Sequence, residues 1–318
     1  MKKIRKFILP VISIMLVASL IFNFYLWRNP MKEASVSNGL VVFSNANSRD
    51  TYSTVHNLKA AQAISTGEGV KVGIMDWSFG YSTHKDLYAD AVNFSENKGA
   101  LDEELHGFWM ANTLKEIAPD CDIYALCTTD MDEDKQVDNM VKAIDWAIQN
   151  NIDVLTYSNA SFSEKNRPKI DEAVNKAVDH GIVTTFIHYD NPNNFYPNGF
   201  FDSSEGKREA DVNILHYDYN ILIQNKYEKY KSFNGDFSKI KTGDDVPYLS
   251  MSSTSPVLAG FVAILKSINP NLSPQDYKDA LIKTSYQTEY YDWGFGLKSN
   301  ISHVADVGKA VAYIKENY

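Results

Sequence analysis

The chain has 318 residues, 44% of them hydrophobic and 22% charged, enough apolar content for one large domain or two small ones and too much for disorder over most of its length. With 16 Gly, 10 Pro and no fixed-period repeat, collagen-like, solenoid and low-complexity architectures are excluded. The net charge is −9, and Lys2, Lys3, Arg5, Lys6 and Arg28 meet no acid within the first 28 residues, so residues 29–318 carry −14. A body that acidic is a poor nucleic-acid binder.

From Phe7 to Trp27 run 21 residues without a charge, and at ~1.5 Å rise per residue a helix of them is about 31 Å long, the thickness of a bilayer's hydrocarbon core. A cleaved secretory signal has an apolar core of about 7–15 residues ending in small side chains. This stretch is longer and closes on Phe24, Tyr25, Leu26, Trp27 and Arg28, an aromatic and basic edge suited to a membrane interface. The expected organisation is a cytoplasmic basic tail (1–6), a transmembrane signal anchor in the lipid bilayer (7–27), a polar tether (28–50) and one domain (51–318). The basic tail retains the N-terminus inside, which makes the protein single-pass, in the cell membrane, with its domain on the extracytoplasmic side. Cys121 and Cys127 lie six residues apart in one strand-like run, roughly 20 Å of extended chain, so they are expected as buried, unbridged thiols.

Along the domain, GVKVGIMD (69–76) is an apolar, β-branched run closed by an acid and reads as a buried strand. A helix from His106 to Ala118, a strand DIYALC (122–127), a helix with apolar positions at 137, 140, 141, 144 and 148, and a strand IDVLTY (152–157) follow. The cycle repeats with an apolar helical face at 170, 173, 174, 177 and 178 and a strand IVTTFIH (182–188). Strands separated by helices of this length cannot form hairpins, so an α/β fold with a mainly parallel sheet, covered by helices on both faces, is predicted. DVNILH (211–216) and YNILIQ (219–224) are further strand candidates. Residues 252–268 form an almost wholly apolar, buried helix, and Ser273-Pro274-Gln275-Asp276 starts another.

Active sites of such sheets lie at the carboxyl ends of the strands, where Asp76 and Asp190 close two of them. Ser252 sits in SMSSTSP at the mouth of the buried helix, where it is either a nucleophile served by helix N–H groups or a plain N-cap. His106 opens HGFWMANTL as a general base or as a structural imidazole, and Asp76 either orients it or is a loop carboxylate. Asp130, Asp132 and Asp134 imitate a calcium loop, but Lys135 and Val141 stand where Gly and Glu are required, so no metal site is expected.

Three segments together resemble the subtilases, the subtilisin-like serine peptidases. GEGVKVGIMDWSFGYSTHKDL is similar to their aspartate segment, HGFWMANTLKEIAPDCDIYAL to their H-G-T-H-V-A-G-T segment, and SMSSTSPVLAGFVAIL to G-T-S-M-A-S-P-H-V-A-G. DWGFGLKSN is similar to a closing turn, and the resemblance covers residues 57–312. It implies a subtilisin-like three-layer fold and a membrane-anchored serine endopeptidase acting on a peptide or protein substrate. Asp76, His106 and Ser252 would form the triad and no cofactor would be needed. LTYSNAS (155–161) corresponds to the substrate-lining strand usually ending S-L-G-G, which assigns Ser158, Asn159 and Ala160 to substrate binding. The family's oxyanion Asn falls on Asp190 by ungapped counting, where a carboxylate would repel the oxyanion; a one-residue slip restores a donor at Asn191, the assignment adopted. Phe108-Trp109 replace Thr-His, Ser250-Met251 replace Gly-Thr, and the tether is too short to fold as a propeptide. These departures leave one alternative, a catalytically impaired subtilase-like binding protein, and another, a non-proteolytic acyl hydrolase.

Overall fold

The computed structural model describes residues 35–37, 40–42, 52, 55–159, 161–188, 200–204, 210–215, 251–292 and 297–318. The expected basic tail and anchor (1–27), the 219–224 strand candidate, Asp190, Asn191 and Ala160 lie outside the described residues. Among the described residues no helix is long and apolar enough to cross a membrane.

Among the described residues eleven strands form one sheet in the order β1-β2-β10-β11-β9-β8-β7-β6-β3-β5-β4. They are β1 (Ser35–Ser37), β2 (Leu40–Val42), β3 (Lys71–Asp76), β4 (Asp90–Asn93), β5 (Asp122–Cys127), β6 (Val154–Tyr157), β7 (Val183–Ile187), β8 (Phe200–Ser204), β9 (Val212–Asn213), β10 (Tyr286–Asp292) and β11 (Leu297–Val304). From β9 through β8, β7, β6, β3 and β5 to β4 every neighbour is parallel, as the helical spacing between strands requires. Among the described strands, antiparallel pairs stand at the other end, β1–β2 and β10–β11. Two short segments of 28–50, expected as tether, thus join that end of the sheet, β2 running parallel to β10.

Helices α1 (Leu58–Gln62), α2 (His106–Ile117), α3 (Glu133–Gln149), α4 (Arg167–Asp179), α5 (Thr254–Ile268), α6 (Pro274–Thr284) and α7 (Val307–Asn317) cover both faces. Period-two alternation assigns strand side chains to two separate cores: Val72 and Ile74 pack with Phe108, Leu114, Phe261, Tyr277 and Ile314 on one face, Met75 with Met140, Ile144, Ile170 and Val174 on the other. Cys121 and Cys127 are free and buried, as expected.

Helix α5 is the pivot of the first core, with every residue from Thr254 to Lys266 buried. It crosses α2 so closely that a Cβ added at Gly260 would lie 2.5 Å from Ile117 Cγ2, so only glycine lets the two helices touch there. Helix α6 begins at the start read from the sequence, and the structure closes a capping box there: the Ser273 hydroxyl accepts from Asp276 N while the Asp276 carboxylate accepts from Ser273 N. The acidic run before α3 has a local function too, since the Asp132 side chain caps the helix by accepting from Asp134 N and Lys135 N. Among the described residues no group of three or more His, Cys, Asp or Glu side chains could hold a metal ion.

The strand order reverses at β3, with β5 on one side and β6 on the other. The chain therefore leaves the carboxyl ends of β3 and β6 in diverging directions, and such a switch point opens a crevice above the sheet.

Candidate active site

The crevice is a cavity of about 260 Å³ lined by Asp76, Trp77, His106, Thr129, Gln136, Tyr157, Ser158, Asn159 and Ser252. Three adjacent strands supply most of it: Asp76 and Trp77 from the end of β3, Thr129 from beyond β5, and Tyr157, Ser158 and Asn159 from the end of β6.

Asp76 is 3% exposed, and its burial is compensated by directed donors. His106 Nδ1 lies 2.8 Å from both carboxylate oxygens, and Trp77 N donates to Oδ1 at 2.8 Å. With Nδ1–H donating to the carboxylate, Nε2 is the imidazole's basic nitrogen. Burial disfavours the imidazolium, but the Asp76 charge and its hydrogen bond outweigh burial and raise the His106 pKa above the ordinary 6.5. The ring sits on the first residue of α2, where Gly107 N donates to Trp77 O at 2.8 Å. A Cβ at Gly107 would stand 2.7 Å from that carbonyl oxygen, so the glycine lets the helix start directly beneath β3.

Ser252 lies in a 3-10 turn, Met251–Ser253, immediately before α5. The hydroxyls that follow bind this end of the helix to the sheet instead of only capping it. Ser255 Oγ donates to Thr185 O at 2.8 Å and meets Thr156 Oγ1 at 2.7 Å, while Ser203 Oγ donates to Thr254 Oγ1 at 3.1 Å. Ser158 Oγ donates to Ser252 O at 2.9 Å, which ties the turn to the end of β6.

The structure thus brings five of the residues singled out in the sequence (Asp76, His106, Ser158, Asn159 and Ser252) to one cavity. Phe108, a departure from the family pattern beside His106, is fully buried and stacks on His84 with centroids 4.3 Å apart, so its ring serves the core. Sequence reading missed Trp77, Thr129, Gln136 and Tyr157. Their signal was available, because Trp77 directly follows a strand, Thr129 lies two residues beyond one, Tyr157 ends one, and Gln136 stands in the first turn of the helix behind them. Gln136 Nε2 donates to the Tyr157 hydroxyl, which closes the far wall with a polar pair.

No protein-family model matches the sequence. Among curated proteins, subtilisin NAT of Bacillus subtilis subsp. natto is 24% identical over 260 residues, covering 73% of this chain and 65% of that protein. Minor extracellular protease Epr of Bacillus subtilis is 28% identical over 138 residues, 39% of this chain and 20% of that protein. The chain therefore spans less than two thirds of the length of these relatives. Among solved structures, MycP1 from Mycobacterium smegmatis superimposes with a TM-score of 0.57 at 15% identity over 89% of this chain and 90% of that one. Fervidolysin from Fervidobacterium pennivorans, a keratinolytic enzyme related to subtilisin, superimposes with a TM-score of 0.53 at 14% identity over 87% of this chain and 48% of that one, and the fold is the subtilisin-like α/β fold. Asp76 at the end of β3, His106 at the start of α2 and Ser252 in the turn before α5 line the same cavity.

Proposed function

We propose that the chain is a membrane-anchored subtilisin-like serine endopeptidase, with residues 7–27 in the bilayer and an extracytoplasmic catalytic domain whose sheet includes the strands at 35–37 and 40–42. The observation that carries the reading is the Asp76–His106 pair, Nδ1 to carboxylate at 2.8 Å, lining one cavity with Ser252.

In this mechanism His106 Nε2 takes the Ser252 hydroxyl proton as Oγ attacks a substrate peptide carbonyl. Asp76 holds the imidazole tautomer and stabilises the imidazolium that forms. The imidazolium then gives its proton to the leaving amine, and water, deprotonated by the same nitrogen, hydrolyses the acyl-enzyme. Asn191 is the proposed side-chain donor to the oxyanion, and Ser158, Asn159 and Ala160 the wall along which the substrate lies. The chemistry calls for no metal or cofactor. The sequence similarity to named proteases and the shared fold support the reading.

The test is covalent labelling of the folded full chain by a fluorophosphonate, with Ser252→Ala as control. Stoichiometric labelling at Ser252 that the variant loses is expected. Folded protein that resists labelling assigns the chain to the binding-protein alternative, while ester turnover without peptide turnover marks an acyl hydrolase.

A base that must be neutral to act sets a pH dependence. Because the His106 pKa is raised above 6.5, kcat/KM for a peptide is expected to fall on the acid side with an apparent pKa above 6.5. An acid limb centred below that value would show that the Asp76 charge does not reach the base.

A further inference from the structure

The strand end that leads to Asn191 carries a further histidine–carboxylate pair, which no step of the proposed hydrolysis uses. His188 directly follows β7, and Asn191 stands three residues further along the chain. His188 Nδ1 lies 2.8 Å from Asp202 Oδ2, and the two side chains are only 12% and 10% exposed. Strand register explains the contact. Phe186 pairs with Asp202 across β7 and β8, and period-two alternation turns His188 to the same face as Phe186.

Asp202 is itself held in place. Its Oδ1 accepts from Asp211 N at 2.7 Å, and its own N donates to Asp211 Oδ2 at 3.1 Å. Lys278 Nζ of α6 stands 2.6 Å from that Asp211 oxygen. Burial raises the Asp202 pKa, but the His188 hydrogen bond and the Asp211 amide outweigh it and hold the carboxyl below its ordinary value. The carboxylate is therefore the acceptor and Nδ1–H the donor. A packed apolar pair would join two strands as firmly, because burying charges costs solvation. What the directed hydrogen bond adds is a fixed position for the ring and for the backbone that bears it.

Strand β8 refers this position to the nucleophile. The residue after Asp202 is Ser203, whose carbonyl accepts from His188 N at 2.8 Å and whose hydroxyl donates to Thr254 Oγ1 at 3.1 Å. Thr254 stands two residues beyond Ser252. Consecutive residues of one strand thus hold both the segment that runs on to Asn191 and the segment that follows Ser252. An oxyanion donor works at about 2.7–3.1 Å from the charged oxygen, and a displacement of about 1 Å can cost about 10²-fold in rate.

Resting on the peptidase reading, we infer that His188 is a positioning residue: clamped by Asp202, it fixes the end of β7 so that the oxyanion donor of the following segment stands at its working distance from Ser252. The pair acts on the transition state and leaves ground-state binding of the peptide alone.

The test is made on the full chain with His188→Leu, which has no donor for Asp202, and His188→Asn, whose amide donor falls near the place of Nδ1. For a peptide substrate His188→Leu is expected to lower kcat about 10- to 100-fold with KM little changed, and His188→Asn to retain most of the activity. A peptide boronic acid, whose adduct with Ser252 places a hydroxyl where the oxyanion forms, should bind His188→Leu more weakly by the same factor. Peptide binding to Ser252→Ala should be unaffected when His188→Leu is added. If His188→Leu does not unfold cooperatively in denaturant, His188→Leu with Asp202→Asn replaces it. That variant buries no lone charge, retains an acceptor for Asp211 N and is expected to show the same losses. Parental kcat in the variant that lacks the donor overturns the inference, as does an equal loss of peptide and boronate binding, which marks a general distortion of the cleft. A parent chain that the fluorophosphonate does not label removes the peptidase reading and the inference together, whereas a labelled parent with an insensitive His188→Leu removes the inference alone.

Discussion

Replacing Ser252 by alanine is expected to lower kcat for a peptide substrate by about 10⁴–10⁶, the loss typical of a triad nucleophile, with no comparable loss of stability. His106→Ala is expected to cost about as much, and the double variant little more, because a nucleophile and the base that activates it act as one unit. Asp76→Asn should retain the geometry yet lower kcat by about 10⁴, since an amide favours the wrong imidazole tautomer. It should also move the acid limb to lower pH, because the Asp76 charge and hydrogen bond are what raise the His106 pKa against burial. Steady-state and single-turnover kinetics on purified full-length variants check all three. Losses that simply multiply between Ser252→Ala and His106→Ala would show that the two side chains do not work together.

Acid should weaken the fold through a different histidine. His56 is wholly buried and neutral, with Nδ1–H donating to Ala305 O at 2.6 Å and Nε2 accepting from Leu215 N at 3.1 Å. Both ring nitrogens are thus committed, and a proton on Nε2 would destroy the second bond. Burial, only partly offset by the Ala305 and Leu215 carbonyls and the Asp306 charge, lowers its pKa from 6.5 to about 4. The unfolded chain binds this proton first, so stability is full above pH 6.5 and declines as pH falls toward 4. The loss amounts to about 3 kcal/mol at ~1.4 kcal/mol per pKa unit. His106 has the opposite sign: its raised pKa stabilises the fold below pH 6.5 and that contribution is lost as pH rises through the folded value. Denaturant unfolding from pH 8 to 4 is expected to show a shallower acid loss in His56→Gln than in the parent, although the variant is less stable at pH 8. Parallel curves would remove His56 as the cause.

Much of the site was legible because its signals are local. IMD (74–76) reads as a buried strand ending in an acid, and that strand ends at Asp76 as expected. His106 opens its helix because a helical apolar pattern follows it, and Ser273 to Asp276 spell a cap that any helix would use. What stayed hidden depends on contacts between distant segments. Strand β4, with one exposed and three half-buried residues, lacks the apolar run that identifies β3. Strand β8, FFDSS, carries Asp202 and Ser203 inward, where Asp202 is paired with His188 Nδ1 at 2.8 Å, so its composition reads as loop. The β10–β11 hairpin and the two strands within 28–50 have no sequence signature of the parallel kind, since their order is set by pairing at the far end of the sheet. The same holds for the hydroxyl run 252–255. Its residues look like capping side chains, and only the positions of Thr156, Thr185 and Ser203 show that they stitch the helix to three strands.

The enclosure of α5 couples chemistry to the integrity of the whole domain. The helix that follows Ser252 has no solvent-facing side over Thr254–Lys266 along which it could relax, and its leading end is laced to the neighbouring layer. Releasing Ser252 from register would require amides on both layers to open together, so under the proposed mechanism exchange of the α5 backbone with solvent and loss of catalytic competence belong to a single cooperative event.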